Sequence, residues 1–318
     1  MTHMTPSRDT LAASLPLPFA TLLRGAFLCA ALLPAAPATV AAAGWDDPQQ
    51  PFELFGDSYY VGTRGLSAVL VTSPAGHVLI DGAEPNGAAQ IARHVRRLGF
   101  RVEDIKFILN SHAHIDHAGG IAALQRRSGA TVVAGAAALP MLQSGQPDRN
   151  DPQAANLTPM QPVGKARAIG DGETLVLGPL RLTAHATPGH TRGGTSWTWQ
   201  ARAGARTVDM VYADSLNAIG DDAFRYGGNA RYPAARADIE RSSALVAGLP
   251  CDILVSAHPG QSGLWTRLAR RARSGQAAFI DRNACRAYAD AARARLRDTL
   301  ASDATAAHRS ITERGSRR

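Results

Sequence analysis

The chain has 318 residues, 45% hydrophobic and 19% charged, which allows a large hydrophobic core and excludes a disordered protein or a coiled coil. Its net charge is +8 and its isoelectric point is about 10.0, and arginine carries nearly all of the positive charge. A basic isoelectric point is typical of nucleic-acid-binding proteins. The arginines form no compact basic run interleaved with aromatic residues, however, so we expect no nucleic-acid partner.

The first 43 residues have the pattern of a secretory signal peptide. Arg8 and Arg24 precede an apolar run at 25–33, Pro34 interrupts it, and small residues follow. The run is about half the length of a membrane span. A basic region, a short apolar region and an Ala-x-Ala site are typical of a cleaved signal. We therefore predict a signal peptide over 1–43, export to the periplasm, and no membrane attachment after cleavage.

The remaining chain alternates strand and helix patterns without a break in composition. The predicted strands are 52–62, 67–73, 77–82, 104–110, 131–134, 173–177, 180–187, 195–200, 208–213 and 253–257. The predicted helices begin at Asn86, pass through Ile121, flank the last strand on both sides, and cover 277–300 at the end. This order favours one α/β domain over 44–302, with sheets inside and helices outside.

Two segments lack a regular pattern. Residues 143–165 are rich in Gln, Pro, Asp and Asn, and loops of this length are usually functional or mobile. Residues 303–318 are polar and basic, and we predict a disordered tail there.

Residues 112–117 read His-Ala-His-Ile-Asp-His and directly follow the predicted strand 104–110. Four metal ligands in six residues are rare by chance, and neutral imidazole nitrogens with a carboxylate oxygen suit zinc. At a strand end the backbone is free to turn, so His112 and His114 can converge on one ion. Asp116 and His117 can then face a neighbouring ion. A structural zinc site would favour cysteines, which lie elsewhere in this chain.

Two further histidines follow predicted strands in turn sequences. His190 lies in Thr-Pro-Gly-His-Thr, and His258 lies in Ser-Ala-His-Pro-Gly. Strand ends on one rim of an α/β sheet are where a site is assembled. His185, within a predicted strand, is interpreted as a packed histidine and not as a ligand.

The motif His112-x-His114-x-Asp116-His117, with later His190 and His258, resembles the metallo-β-lactamase superfamily. Further stretches are similar to the third subclass of metallo-β-lactamases, from about Trp45 to about Leu300. These stretches are Tyr60-Val-Gly-Thr, Gly65-Leu-Ser, Asp116-His-Ala-Gly-Gly, Thr187-Pro-Gly-His-Thr, Thr195-Ser-Trp-Thr-Trp, Tyr212-Ala-Asp-Ser-Leu and Leu249-Pro-Cys-Asp-Ile-Leu.

The resemblance implies a four-layer αβ/βα sandwich with two central sheets and two Zn²⁺ ions. It assigns His112, His114 and His190 to the first zinc. It assigns Asp116, His117 and His258 to the second zinc. Arg192 and Ala257 depart from the prolines usual beside these ligands, which leaves the loop shape and the substrate range open.

Two cysteines, Cys251 and Cys285, remain after the predicted leader, and an even pair in an exported protein is a disulfide candidate. Two separate buried thiols are the alternative. The resemblance pairs Cys251 with Cys285. It also places Ser215 where another dinuclear subclass has a cysteine ligand.

The function implied by the resemblance is hydrolysis of the β-lactam amide bond by a metal-bound hydroxide, which confers antibiotic resistance. Two close cations can share a hydroxide near pH 7. Asp116 would both ligate zinc and orient this nucleophile. Ser215 and Asn217 would bind the substrate carboxylate. The expected partner is a small-molecule β-lactam, and we expect a monomer.

Three alternatives were weighed. A thioester, lactone or general amide hydrolase of the same fold would use a bridging carboxylate, and Asp214 is the candidate for it. A nuclease of the superfamily would need an added clamping domain, for which about 275 residues leave no room. A non-enzymatic zinc binder would not need all six ligands.

Overall fold

The computed structural model describes residues 44–315, which belong to one compact unit. The predicted signal peptide at 1–43 lies outside the described residues. Within the described residues, no helix combines the length and the apolar character needed to cross a membrane.

Two mixed β-sheets form the centre of the described chain. The first sheet has the order β1 (Phe52–Phe55), β2 (Ser58–Tyr60), β3 (Val69–Val71), β4 (His77–Ile80), β5 (Ile105–Leu109), β6 (Thr131–Gly135) and β7 (Ala166–Ile169). The second sheet contains β8 (Thr174–Leu177), β9 (Leu180–Ala186), β10 (Thr195–Ala203), β11 (Arg206–Ala213) and β12 (Ile253–Ser256), ordered from β12 to β8.

Helices connect and cover these strands. They are α1 (Gly87–Arg97), α2 (Ile115–Ala118), α3 (Ile121–Ser128), α4 (Leu139–Ser144), α5 (Ala235–Gly248), α6 (Leu264–Ser274) and α7 (Ala284–Gly315). Neither α4 nor β7 was predicted from the sequence.

The layers confirm the predicted αβ/βα sandwich. Between the sheets, alternate residues of each strand form a buried core, and Trp197 and Trp199 of β10 both point into it. Helices α1 and α3 bury Ile91 and Ile121 against the outer face of the first sheet. Helices α5 and α7 pack in the same way against the outer face of the second sheet.

Strand direction determines where the polar segments meet. Strands β4 and β5 are parallel, and so are β11 and β12. Strand β9 also runs in the direction of β11, because both are antiparallel to β10. The carboxyl ends of parallel strands meet at the same edge of a sheet. The segments that follow β4 and β5 therefore meet at one edge, and those that follow β9, β11 and β12 meet at another.

The N-terminal prediction of a single strand over 52–62 is wrong, because a tight turn divides it into β1 and β2. Gly56 at this turn has φ of 53°, which favours glycine. A Cβ atom there would lie 1.9 Å from the carbonyl oxygen of Arg202, so the position also has no room for a side chain.

The C-terminal prediction also differs from the structure. The final helix begins at Ala284 and extends to Gly315, whereas the sequence predicted a helix over 277–300 and a disordered tail over 303–318. Asp303 accepts a hydrogen bond from the Gly227 amide at 3.1 Å and lies 3.7 Å from Arg225 Nε. These contacts and an alanine-rich sequence favour continuation of the helix.

Cys251 and Cys285 form a disulfide bond. It joins the segment before β12 to the first turn of α7, which packs on the second sheet. The paired arrangement expected from the sequence is thus the one in the structure.

Candidate metal centre

The six candidate ligands lie at the carboxyl ends of strands from both sheets. His112 and His114 follow β5, and α2 then carries Asp116 and His117. His190 lies in the turn after β9, and His258 follows β12. The structure brings the side chains of all six close to one another.

His112, His114 and His190 form a three-histidine cluster. The centres of the three rings lie 4.8–4.9 Å apart, and the ring planes are inclined to one another by 72–89°. One nitrogen from each ring lies within 4.8 Å of the other two. Three buried imidazoles that face one another in this way can hold one divalent metal ion.

Hydrogen bonds on the far side of each ring determine which nitrogen faces the centre of this cluster. The Nδ1 of His112 bonds to Asp214 at 2.7 Å, and its Nε2 is buried without a partner among the described residues. The Nδ1 of His190 donates to the carbonyl oxygen of Asn217 at 2.9 Å. Histidine ligands generally bind metal through the nitrogen opposite such a bond. The unpaired Nε2 of His112 therefore fits a metal ion.

Asp116, His117 and His258 form a second cluster beside the first. Asp116 Oδ2 lies 3.0 Å from His117 Nε2 and 3.5 Å from His258 Nε2, and the two Nε2 atoms are 3.3 Å apart. A tetrahedral zinc with ligand bonds of 2.0–2.1 Å needs ligand atoms about 3.3 Å apart. The triangle thus fits zinc. The rings of His112 and His117 lie 4.3 Å apart, so the clusters are adjacent.

Burial controls the charge of these groups. It lowers the pKa of His112 well below its usual value, that of His190 to about 3 and that of His258 to about 4. These rings are neutral at pH 7 and can offer a lone pair to a cation. Burial opposes the charged forms of Asp116 and His117 as well, but their mutual attraction prevails. It lowers the pKa of Asp116 and raises the pKa of His117.

Asp81, which sequence reasoning missed, holds the start of the motif in place. Its carboxylate accepts hydrogen bonds from the Ser111 amide and hydroxyl at 2.7 and 2.6 Å, and from the Tyr212 hydroxyl at 2.8 Å. Its Oδ2 also lies 3.6 Å from Nδ1 of His117. The available signal was an acidic residue directly after an apolar strand that is the sheet neighbour of β5.

Asp214 lies behind the three-histidine cluster and is not one of the converging ligands. Its Oδ1 is the hydrogen-bond partner of His112. Its backbone amide donates a hydrogen bond to Ser196 Oγ at 3.0 Å. Its Oδ2 faces Gly194, where a Cβ atom would lie 2.3 Å away. The role in the structure is therefore that of a partner of His112.

Ser215 and Asn217, the predicted carboxylate-binding residues, follow β11 and are both buried. The Ser215 hydroxyl and the Asn217 Oδ1 have no hydrogen-bond partner within residues 44–315. The Asn217 Nδ2 donates to Gln261 Oε1 at 3.2 Å. The Ser215 hydroxyl and the second N–H of Asn217 Nδ2 are therefore the donors that a negatively charged ligand could still bind.

Asp151 is a second residue that sequence reasoning missed. It lies in the long segment between α4 and β7, and its Oδ2 is 3.0 Å from Nε2 of His114. The composition of 143–165 indicated a functional segment but gave no reason to choose Asp151. By contrast, His185 bonds to Thr198 at 2.8 Å on the outer face of the second sheet.

The family model of the metallo-beta-lactamase superfamily matches residues 61–258. The chain belongs to this superfamily. The matched segment runs from Val61, which directly follows β2, to the last candidate ligand, His258.

Among solved structures, the chain is similar to subclass B3 metallo-beta-lactamases. MEM-A1, isolated from a soil metagenome library, is 58% identical, with a TM-score of 0.82 over 82% of this chain and 99% of that chain. SMB-1, bound to 2-mercaptoethanesulfonate, is 46% identical, with a TM-score of 0.79 over 82% of this chain and 99% of that chain. MIM-1 from Novosphingobium pentaromativorans is 42% identical, with a TM-score of 0.77 over 83% and 94%.

A more distant relative is a hydroxyacylglutathione hydrolase from Anaeromyxobacter dehalogenans (strain 2CP-C). It is 30% identical over 152 residues, which are 48% of this chain. The chain spans only 46% of the length of that relative.

Proposed function

We propose that this protein is a zinc-dependent enzyme that hydrolyses the amide bond of β-lactam antibiotics and so confers resistance to them. The observation that carries the proposal is the pair of adjacent ligand clusters at the strand ends. The likeness to subclass B3 enzymes over nearly their whole length supports it.

His112, His114 and His190 would hold the first zinc, and Asp116, His117 and His258 would hold the second. Zinc at these positions would lower the pKa of a water molecule to near 7 and polarise the carbonyl oxygen of the substrate. The first site offers imidazole ligands and no carboxylate, so it would leave the positive charge of an ion uncompensated, which favours an electron-rich oxygen there. At the second site the negative charge of the Asp116 carboxylate would offset part of the positive charge of an ion.

Asp116 also serves as the orienting group. One of its oxygens lies in the ligand triangle, so the other can accept a hydrogen bond from the attacking water and direct the water oxygen at the carbonyl carbon. Because the pKa of Asp116 is lowered, the carboxylate is an acceptor and not a donor at pH 7. Orientation of this kind is what a positioned acceptor contributes to catalysis.

The reaction needs no covalent acyl-enzyme. Ser215 directly follows Asp214, the partner of His112, and its Oγ has no hydrogen-bonded base among the described residues. A serine without such a base is a weak nucleophile. The Ser215 hydroxyl and the second N–H of Asn217 Nδ2 instead donate hydrogen bonds to the carboxylate that β-lactams carry beside the lactam nitrogen.

We also propose that the enzyme works in the periplasm as a monomer after removal of residues 1–43. The leader pattern and a disulfide in the folded domain support this location. Cell fractionation with N-terminal sequencing of the mature protein tests the export. Light scattering tests the monomer.

A thioester hydrolase is the competing function, because of the hydroxyacylglutathione hydrolase relative. The orientation of Asp214 disfavours it. A bridging carboxylate would aim an oxygen between the two clusters, whereas Oδ1 of Asp214 bonds to His112 and Oδ2, which has no hydrogen-bond partner among the described residues, lies against Gly194.

The deciding experiment compares two substrates with purified protein, a chromogenic cephalosporin and a glutathione thioester, each with and without a metal chelator. We expect chelator-sensitive hydrolysis of the cephalosporin only. Hydrolysis of the thioester alone would refute the proposal.

A further inference from the structure

We propose that Asp151 is a positioning residue for the first metal site, supplied by the loop 145–165 that separates α4 from β7. It holds His114 so that the Nδ1 of that ring, and not the Nε2, faces the ion. This inference rests on the metal site of the proposed function, and it assigns the long loop a task in holding the metal.

The contact between Asp151 and His114 is buried and well defined. Asp151 Oδ2 lies 3.0 Å from His114 Nε2, and the side chains are 4% and 5% exposed. The other oxygen, Oδ1, accepts a hydrogen bond from the amide of Gln153 at 2.8 Å. Since both carboxylate oxygens have partners, the carboxylate is held in one orientation. The proton of the His114 ring is then on Nε2, which leaves the lone pair on Nδ1.

His114 differs in this respect from the other members of its cluster. His112 and His190 are held by Asp214 and by the carbonyl of Asn217, both in the segment after β11. The partner of His114 comes from a loop without regular structure. Removal of that partner should therefore affect His114 without disturbing the strand ends.

The loop is attached at a second and a third point around the cluster. The amide of Asp221 donates to the Pro152 carbonyl at 2.8 Å, and the amide of Ala155 donates to Asp221 Oδ2 at 3.1 Å. Arg192, two residues after His190, donates to Asp148 at 2.7 Å. The contacts with Asp221 therefore hold the loop directly after Asp151, whereas the surface pair of Arg192 and Asp148 contributes little to its position.

Without Asp151 the imidazole of His114 would have no fixed tautomer, and the ring could present either nitrogen. Partners of metal-binding histidines typically contribute 10- to 100-fold to metal affinity. We expect Asp151→Ala to weaken zinc binding at one of the two sites by about 10- to 100-fold. Asp151→Asn should lie between wild type and Asp151→Ala, because its amide oxygen still accepts the Nε2 proton but carries no charge.

The experiment titrates the zinc-loaded protein with a chromophoric chelator and records how many ions leave at each free-zinc concentration. The matched control is Asp148→Asn, which removes a carboxylate three residues away that pairs with Arg192 on the surface. Unfolding temperatures of the metal-free variants are measured in parallel. We expect the affinity order wild type, Asp151→Asn, Asp151→Ala, with Asp148→Asn equal to wild type within about twofold.

Two results would overturn the inference. One is zinc affinity within twofold of wild type in both Asp151 variants. The other is an equal loss in Asp148→Asn, which would show that anchoring of the loop alone matters. If Asp151→Ala does not fold, the nearly isosteric Asp151→Asn decides the question.

The titration contains no β-lactam, so its outcome is separate from that of the proposed function. A protein that binds zinc in the expected order but hydrolyses no β-lactam would retain this inference and refute the proposed function. If the wild type hydrolyses β-lactams and the Asp151 variants bind zinc as tightly as the wild type, the proposed function stands and this inference is refuted.

Discussion

Oδ1 of Asp214 and Nδ1 of His112 share a hydrogen bond of 2.7 Å, and neither side chain is exposed to solvent. Burial raises the pKa of Asp214 well above its usual value, and hydrogen bonds from the Ser215 amide and the Ser111 side chain only partly offset this effect. The contact between Asp214 and His112 distinguishes two possible roles of Asp214, a ligand that bridges two metal ions and a partner that orients a histidine ligand. A bridging ligand would point between the metal clusters, whereas Asp214 lies behind His112 and orients it.

The two clusters predict two zinc ions per chain. Elemental analysis of purified mature protein should give close to two equivalents, and a chelator should abolish β-lactam hydrolysis. The reason is that each cluster supplies three ligand atoms at spacings suited to one ion. Full activity with one equivalent would contradict the role of the second cluster.

Asp116→Asn should lower kcat by about a hundredfold or more. The amide keeps the size of the side chain but removes the charged ligand and weakens the acceptor that orients the attacking water, and one well-placed group contributes on this scale. Steady-state kinetics at saturating zinc measure the effect, with zinc content determined on the same sample. A variant with two zinc ions and nearly normal kcat would exclude the orienting role.

Ser215→Ala should raise KM for β-lactams by roughly tenfold, since a hydrogen bond to a charged group contributes about 1.5–3 kcal/mol. Asn217→Ala should act in the same direction, and kcat should change less than KM in both. Ser243→Ala is the control, because the Ser243 hydroxyl in α5 is also buried and also lacks a partner among the described residues. Unchanged KM in the two site variants would direct attention to Arg192 or to the 145–165 loop.

The lowered pKa of Asp221 predicts that its contribution to the free energy of unfolding decreases at acidic pH. Hydrogen bonds from Arg231, and from the amides of Ala155 and Ala223, hold its pKa at about 2, below the ordinary 3.8. A carboxyl with a lowered pKa contributes stability that is complete above its ordinary value and is lost as the pH falls towards 2. The difference in unfolding free energy between wild type and Asp221→Asn, measured on metal-free protein, should shrink between pH 4 and pH 2. A constant difference over that range would rule out this explanation.

The disulfide predicts a large loss of stability in the Cys251→Ala, Cys285→Ala double variant. The bond closes a loop with a sequence separation of 34, for which the chain-entropy model gives about 4 kcal/mol. For a chain of this size the unfolding temperature should fall by about 10 °C. Wild type with a reductant should show the same fall, whereas an unchanged unfolding temperature in both cases would show that the bond contributes little.

The local pattern of the sequence was sufficient to predict the six candidate ligands. They lie in one short motif and in two turns directly after apolar strands, and the direction of those strands brings the turns together. The same pattern was sufficient to predict sheets inside and helices outside, because strands that alternate with helices have few ways to bury their apolar faces. The four-layer arrangement with two sheets was implied by the family resemblance.

Contacts between distant segments were not predictable in this way. Asp151 meets His114 across 37 residues, and nothing in its own neighbourhood distinguishes it from Asp148. Asp303 meets Gly227 across 76 residues, and that contact supports a helix where the local composition indicated a disordered tail. Such contacts depend on the finished fold and not on local propensity.

Each ligand cluster draws on both sheets. His112 and His114 follow a strand of the first sheet and His190 a strand of the second, and the second cluster divides in the same way between Asp116, His117 and His258. Neither half of the sandwich therefore supplies all three ligands that we assign to either ion. An ion held in this way acts as a cross-link between the halves, and the free energy that opposes their separation rises with the logarithm of the free zinc concentration. The resistance of the domain to unfolding would thus depend on the zinc supply of the compartment in which it works.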